Sequence, residues 1–127
     1  MKRQTARWVR KAEEDWDGAR DLAARRPPLR DLACFHCQQA AEKYLKALLQ
    51  EIGVAVPRTH DLDNLVLLAM AHDPTLRSLR LRLRTLTRYA VEYRYPSEWA
   101  TTRQMQSALR IAERARRALR ARLGLPP

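Results

Sequence analysis

Apolar residues recur along this chain at intervals of three and four, the spacing that gathers side chains on one face of an α-helix. Trp8, Ala12, Trp16, Ala19 and Ala23 make the first such stripe and predict a helix over 3–24, stopped by Pro27-Pro28. Cys37, Ala41, Tyr44 or Leu45, Leu48 and Ile52 make the second and strongest, over 30–52. That segment is built of Ala, Leu, Gln, Glu and Lys, all good helix formers, and Gly53 supplies its stop. After the connection 54–60, Thr59 or Asp61 is placed to cap a shorter helix over 62–72, with Leu62, Leu65, Val66, Ala69 and Met70 on one face. Asp73-Pro74 reads as the cap and first position of a further helix, whose inner face is Leu76, Leu79, Leu83, Leu86, Ala90 and Tyr93. Pro96 interrupts the pattern. Ser97 is the expected cap of a last helix that runs to about 123 on Met105, Ala108, Ala112, Ala115 and Leu119.

No segment reads as a strand. Four long helices and one shorter one, joined by short links, predict an all-α, antiparallel up-down bundle filling 1–127 as one domain. With hydrophobic residues at 46%, there is enough apolar material for a core. No apolar run approaches the ~18–20 residues of a membrane span. The basic N-terminus has no apolar segment after it, so it is not read as a secretory signal. Two cysteines three residues apart are no disulfide framework, and a reducing cytoplasm is the expected compartment.

Charge changes this picture. The net charge is +11, and almost all of it falls in the second part of the chain. Residues 1–74 hold 12 Lys/Arg against 11 Asp/Glu, whereas 75–127 hold 13 Arg against 3 Glu. Arg77, Arg80, Arg82, Arg84 and Arg88 fill the gaps between the leucines of one helix, and Arg110, Arg114 and Arg117 line the outside of the last. Such asymmetry is the footprint of a polyanionic partner. Arg outnumbers Lys 21 to 4, however, and a compositional bias toward Arg produces the same excess without a function.

Candidate chemistry is sparse. Cys34-Phe35-His36-Cys37 has the C-x-x-C spacing, but it opens a helix, lacks further ligands and follows no strand, so two small buried thiols are the simpler reading. No metal site or cofactor is expected. Arg30 and His36 have a spacing at which an anion holder and a proton carrier could serve one phosphodiester, but in so arginine-rich a chain a surface or packing histidine at a helix start is the simpler reading. Lys43 and Lys46 stand three apart beside Gln39 and Glu42, either ordering a helix contact or, the commoner arrangement, facing water. Arg88-Tyr89 and Arg94-Tyr95-Pro96 offer guanidinium and aromatic groups for a base platform, unless the tyrosines pack inward. The carboxylates of 13–21 read as a solvated helix face. No P-loop, G-x-G-x-x-G, H-E-x-x-H or G-x-S-x-G is present.

The run ACFHCQQAAEKYLKALLQEIG, followed by PRTHDLDNL and a distal RYP, resembles the HEPN family, the higher eukaryotes and prokaryotes nucleotide-binding domain. The resemblance spans nearly the whole chain and implies a helical bundle. It also implies a small protein acting with a minimal nucleotidyltransferase partner, in some cases as a toxin–antitoxin pair, and a homodimer or higher homo-oligomer. Some members are metal-independent endoribonucleases with an Arg-x4–6-His motif before the last helix. Here that region reads EYRYPSEWATTRQ, and no His follows Arg94. The expectation is therefore a protein that binds nucleotide or RNA without catalysis of its own. Arg94 and Arg88 are its phosphate contacts, with Lys43, Lys46 and His60 as further candidates. The alternatives are an endoribonuclease using His36 with Arg30 or Arg94, and a purely structural interaction module.

Overall fold

The computed structural model describes residues 1–93 and 95–127. Five α-helices and one 3-10 turn follow in order, α1 (Arg3–Ala24), α2 (Arg30–Glu51), α3 (Leu62–Met70), the 3-10 turn (Pro74–Leu79), α4 (Arg80–Glu92) and α5 (Thr102–Arg122). Among the described residues there is no strand. The helix α2 lies at the centre and packs against α1, α3, α4 and α5, with α1 as its longest neighbour.

The apolar stripes do what their spacing predicts. Cys37, Ala41, Tyr44, Leu45 and Leu48 of α2 meet Ala12, Trp16 and Ala19 of α1 in one buried core. The same core takes Leu83 and Leu86 of α4 and Met105, Ala108, Ala112, Ala115 and Leu119 of α5. Two glycines end helices by the same device. Gly53 (φ +81°) and Gly124 (φ +72°) take the left-handed conformation that a side chain disfavours. The next residue then bonds back, Val54 N–H to Leu49 O at 2.9 Å and Leu125 N–H to Arg120 O at 2.9 Å.

Two boundaries differ from the sequence reading. The expected single helix after Asp73 is split, because Asp73 caps a 3-10 turn and the α-helix begins only at Arg80. Asp73 itself caps as expected, accepting from Thr75 N–H at 3.1 Å. The last helix starts at Thr102, not after Ser97. Thr101 Oγ1 accepts from Gln104 N–H at 3.1 Å, and Gln104 Oε1 accepts from Thr101 N–H at 2.8 Å. This reciprocal box satisfies two free donors at once, which Ser97 has no partner to do. Asp61, rather than Thr59, caps α3.

Polar ties fix the helices in register. Glu13 of α1 takes a bidentate pair from Arg116 of α5, at 2.8 and 2.6 Å, and also accepts from Tyr44 OH of α2. Arg120 adds a bond to Tyr44 OH at 2.9 Å. The Arg116 guanidinium holds the Glu13 carboxyl below its ordinary range, and burial pushes the Tyr44 hydroxyl up to about 12. Asp63 of α3 grips Arg80 at 2.7 Å and Arg84 at 3.2 Å, and the bond from Arg80 brings its carboxyl down to about 2.

Glu13→Ala leaves two guanidinium groups in a half-dry pocket without their carboxylate. It is expected to destabilise the fold by about 3 kcal/mol, read from urea unfolding. Asp63 has a depressed folded pKa, so its stabilisation is present above the unfolded value and lost as pH falls toward about 2. Asp63→Asn is expected to lose about 1 kcal/mol at neutral pH and to flatten that acid limb in pH-dependent melts.

Candidate functional site

The side chains singled out on α2 are already committed to partners. Arg30 donates from Nε to the backbone carbonyl of Ala100 at 2.6 Å, and its neighbour Asp31 accepts from Ala100 N–H at 2.8 Å. The pair clamps the link before α5 to the start of α2. His36 turns instead to α1, where its Nδ1 lies 2.8 Å from Asp15 Oδ1. Lys43 reaches the other oxygen of the same carboxylate. Arg30 and His36 are thus held by different neighbours and are not brought onto one anion.

A second group of the same composition lies further along α2. Glu42 is buried and receives Lys46 Nζ at 3.1 Å, His60 Nδ1 at 3.0 Å and Gln38 Nε2 at 3.3 Å. Gln38 also donates to the His60 carbonyl at 3.0 Å. Trp8 of α1 covers Lys46, with Nζ 5.6 Å from the ring centre. The expectation that Lys43, Lys46, Gln39 and Glu42 face water is overturned for Glu42 and Lys46, both buried, while Gln39 and Lys43 are half-buried. Lys46 in particular has no surface to offer a phosphate. His60 differs, since its side chain is 83% exposed.

The carboxylates of α1 are the residues that sequence reasoning missed. Read as a solvated face, Glu13 and Asp15 point inward, and each gathers side chains from α2 or α5. A signal was available at Glu42, where Gln38, Glu42 and Lys46 stand at intervals of four, the spacing of bonded helix pairs. Nothing comparable marks Glu13 or Asp15, whose partners are distant in the chain. Cys34 and Cys37 are buried, and burial pushes both thiols upward, Cys34 to about 12.

The aromatic platform does not form at Tyr89. Tyr89 is buried and its ring stacks on the half-buried Tyr93, centroids 5.8 Å apart. Arg88 stands exposed on α4, 3.4 Å from Glu92. Arg94, the other expected phosphate contact, lies outside the described residues.

The arginines after residue 74 divide into two kinds. Arg80, Arg84, Arg88, Arg116, Arg117, Arg120 and Arg122 are each within ion-pair distance of a carboxylate. Arg77, Arg82, Arg103, Arg110 and Arg114 have no carboxylate partner among the described residues, and all five are exposed. Three of these five, Arg82, Arg110 and Arg114, line an open groove of about 710 Å³ between α4 and α5. Leu81, Thr85, Ser107 and Ile111 share the lining, as does the Glu113–Arg117 pair at 3.1 Å. No helix of the described residues is long and apolar enough to cross a membrane.

A family model, HEPN domain, matches residues 5–122. Two solved structures have a similar fold. TT1696 from Thermus thermophilus superposes with a TM-score of 0.81 at 24% identity, covering 94% of this chain and 98% of that one. ST0689, an archaeal HEPN homologue, superposes at 0.72 with 28% identity, covering 96% of this chain and 98% of that one. No curated protein matches.

Lys46 tests the division between structural and ligand-facing cations. Lys46→Ala strands a buried carboxylate and is expected to destabilise the fold by about 3 kcal/mol in urea melts. At temperatures where the variant remains folded, any affinity of the wild type for labelled RNA is expected to be unchanged in the variant, read by fluorescence anisotropy.

Proposed function

Because the chain belongs to the HEPN domain family, matched over residues 5–122, we propose that it binds nucleotide or RNA and works with a minimal nucleotidyltransferase partner. In this reading it performs no catalysis of its own. It acts as a homodimer or higher homo-oligomer in the cytoplasm, in a pair of toxin–antitoxin type. The observation that carries the binding half is the set of exposed arginines on α4 and α5 without carboxylate partners. Arg3, Arg7 and Arg20 of α1 are also exposed without a carboxylate partner among the described residues, but the acids of that part of the chain balance their charge. The imbalance sits at 75–127, while 1–74 is nearly neutral. Guanidinium groups without a carboxylate keep their full attraction for phosphate, which they meet in a fork of two N–H donors. Arg88 and Arg94 remain the proposed contacts beside the RYP sequence, and His60 offers an exposed ring with Nδ1 fixed on Glu42.

One observation favours a second reading. His36 is oriented by Asp15 as a proton carrier is oriented by a carboxylate, which supports RNA cleavage with His36 as acid and base. Against it, no arginine shares that cluster among the described residues, and its one cation, Lys43, is already paired with Asp15.

The two readings separate in one gel. Labelled single-stranded RNA is incubated with wild type and with His36→Ala, in chelator, at low and moderate salt. Intact RNA, retarded at low salt and released at moderate salt, is the expected result for both proteins. Cleavage by wild type that His36→Ala abolishes establishes the second reading. Failure to retain RNA or nucleotides at low salt overturns the binding proposal. Copurification with a minimal nucleotidyltransferase coexpressed from the same source tests the partner.

A further inference from the structure

We infer that the groove between α4 and α5 holds the backbone of a single-stranded RNA and does not read its bases. This deepens the binding function proposed above and rests on it. The groove is cationic without compensation. Arg82 enters from α4, and Arg110 and Arg114 from α5, none with a carboxylate partner among the described residues. Its one acid, Glu113, is bonded to Arg117 at 3.1 Å. Four guanidinium groups therefore face one carboxylate along a single trough.

Their arrangement suits a chain better than a compact ligand. At a rise of about 1.5 Å per residue, Arg110 and Arg114 are about 6 Å apart along the helix axis, and Arg117 lies about 4.5 Å beyond. A row of this kind meets successive phosphates of a strand, whereas a mononucleotide occupies only one end of it. The lining contains no aromatic ring, so nothing stacks on a base. It contains no histidine, and its only acid is committed, so no group in the groove moves a proton to or from a bound strand. The apolar side chains Leu81 and Ile111 offer surface for sugar faces. An acidic peptide is the weaker match. Protein partners draw most of their affinity from anchors buried in closed pockets, and this groove is open. Binding to a phosphate backbone needs no anchor, because release of counterions drives it.

The test is fluorescence anisotropy with ~20-nucleotide oligouridine and oligoadenosine RNAs, titrated between ~50 and ~200 mM salt. The groove variant is R110E/R114E. A control, R7E/R10E, makes the same change of net charge on α1. Melting curves and far-UV dichroism verify both folds, and R110Q/R114Q replaces the groove variant if charge reversal unfolds it. The two RNAs are expected to bind wild type within about threefold of one another. The groove variant is expected to weaken both RNAs by about tenfold or more and to lower the salt slope by between one and two. The control is expected to lose less than about threefold.

Equal losses in the groove and control variants overturn the inference and leave RNA binding standing, as a matter of overall charge. So does a preference of more than about tenfold between the two RNAs, which means that bases are read. Wild type that binds mononucleotides but not the strands overturns the inference alone. Wild type that binds neither overturns both readings. Polyglutamate of matched charge that binds wild type about tenfold or more tightly than either RNA, and loses that affinity in R110E/R114E, assigns the groove to an acidic protein instead. A DNA strand of the same length is expected to bind comparably, since the groove addresses phosphates.

Discussion

The carboxylate of Glu13 is shared by α1, α2 and α5, and the register of the bundle depends on that sharing. A charge on the inner side of a helix is tolerated only where its partners are in place. Sliding α1 by one turn, about 5.4 Å, would carry Glu13 away from Arg116 and Tyr44, leaving Arg116 without its carboxylate and Tyr44 with Arg120 alone. The apolar stripes accept several alignments of similar hydrophobic contact. The ionic knot accepts one. Asp15 repeats the constraint with His36 and Lys43, and Glu42, bonded within α2 to Gln38 and Lys46, ties His60 of the link before α3 to that helix. The central helix is thus ringed by charges that specify its neighbours, while Ala, Leu and Cys supply its bulk.

This explains how much of the molecule could be read in advance. The helices were legible because their signals are local. Gly53 and Gly124 each end a helix, Asp61 and Asp73 cap the elements that follow them, and the inner stripe of α5 is buried at every predicted position. The Thr101–Gln104 box was equally local, yet Pro96-Ser97 offered a competing start, and only the reciprocal bonds distinguish the two. The split after Asp73 has another origin. The leucine spacing runs unbroken from Leu76 to Leu86, and a 3-10 turn presents residues three apart on one face just as an α-helix does.

The candidate site was less legible because its meaning depends on partners remote in sequence. Lys46 and Arg110 look alike as isolated residues. One is sealed beneath Trp8 on a buried glutamate, and the other stands in an open groove. No periodicity separates them, since the difference lies in whether a carboxylate from another helix arrives. The arginine excess resolves in the same way. The arginines that hold Asp63, Asp73 and Glu13 are part of the scaffold, and those without a carboxylate among the described residues stand exposed on the surface.

The clamp at Ala100 has a wider implication. Arg30 and Asp31 hold both backbone groups of that residue, so α5 begins from a point fixed on α2, whatever path the chain takes after α4. Before the clamp, Tyr95 and Trp99 stand in solvent, 65% and 71% exposed. The link is thereby uncoupled from the helix it feeds. Insertions or deletions can accumulate between α4 and Ala100 while the start of α5, and with it the row from Arg110 to Arg117, keeps its place. A chain with a longer or shorter loop at this point would therefore keep the same groove.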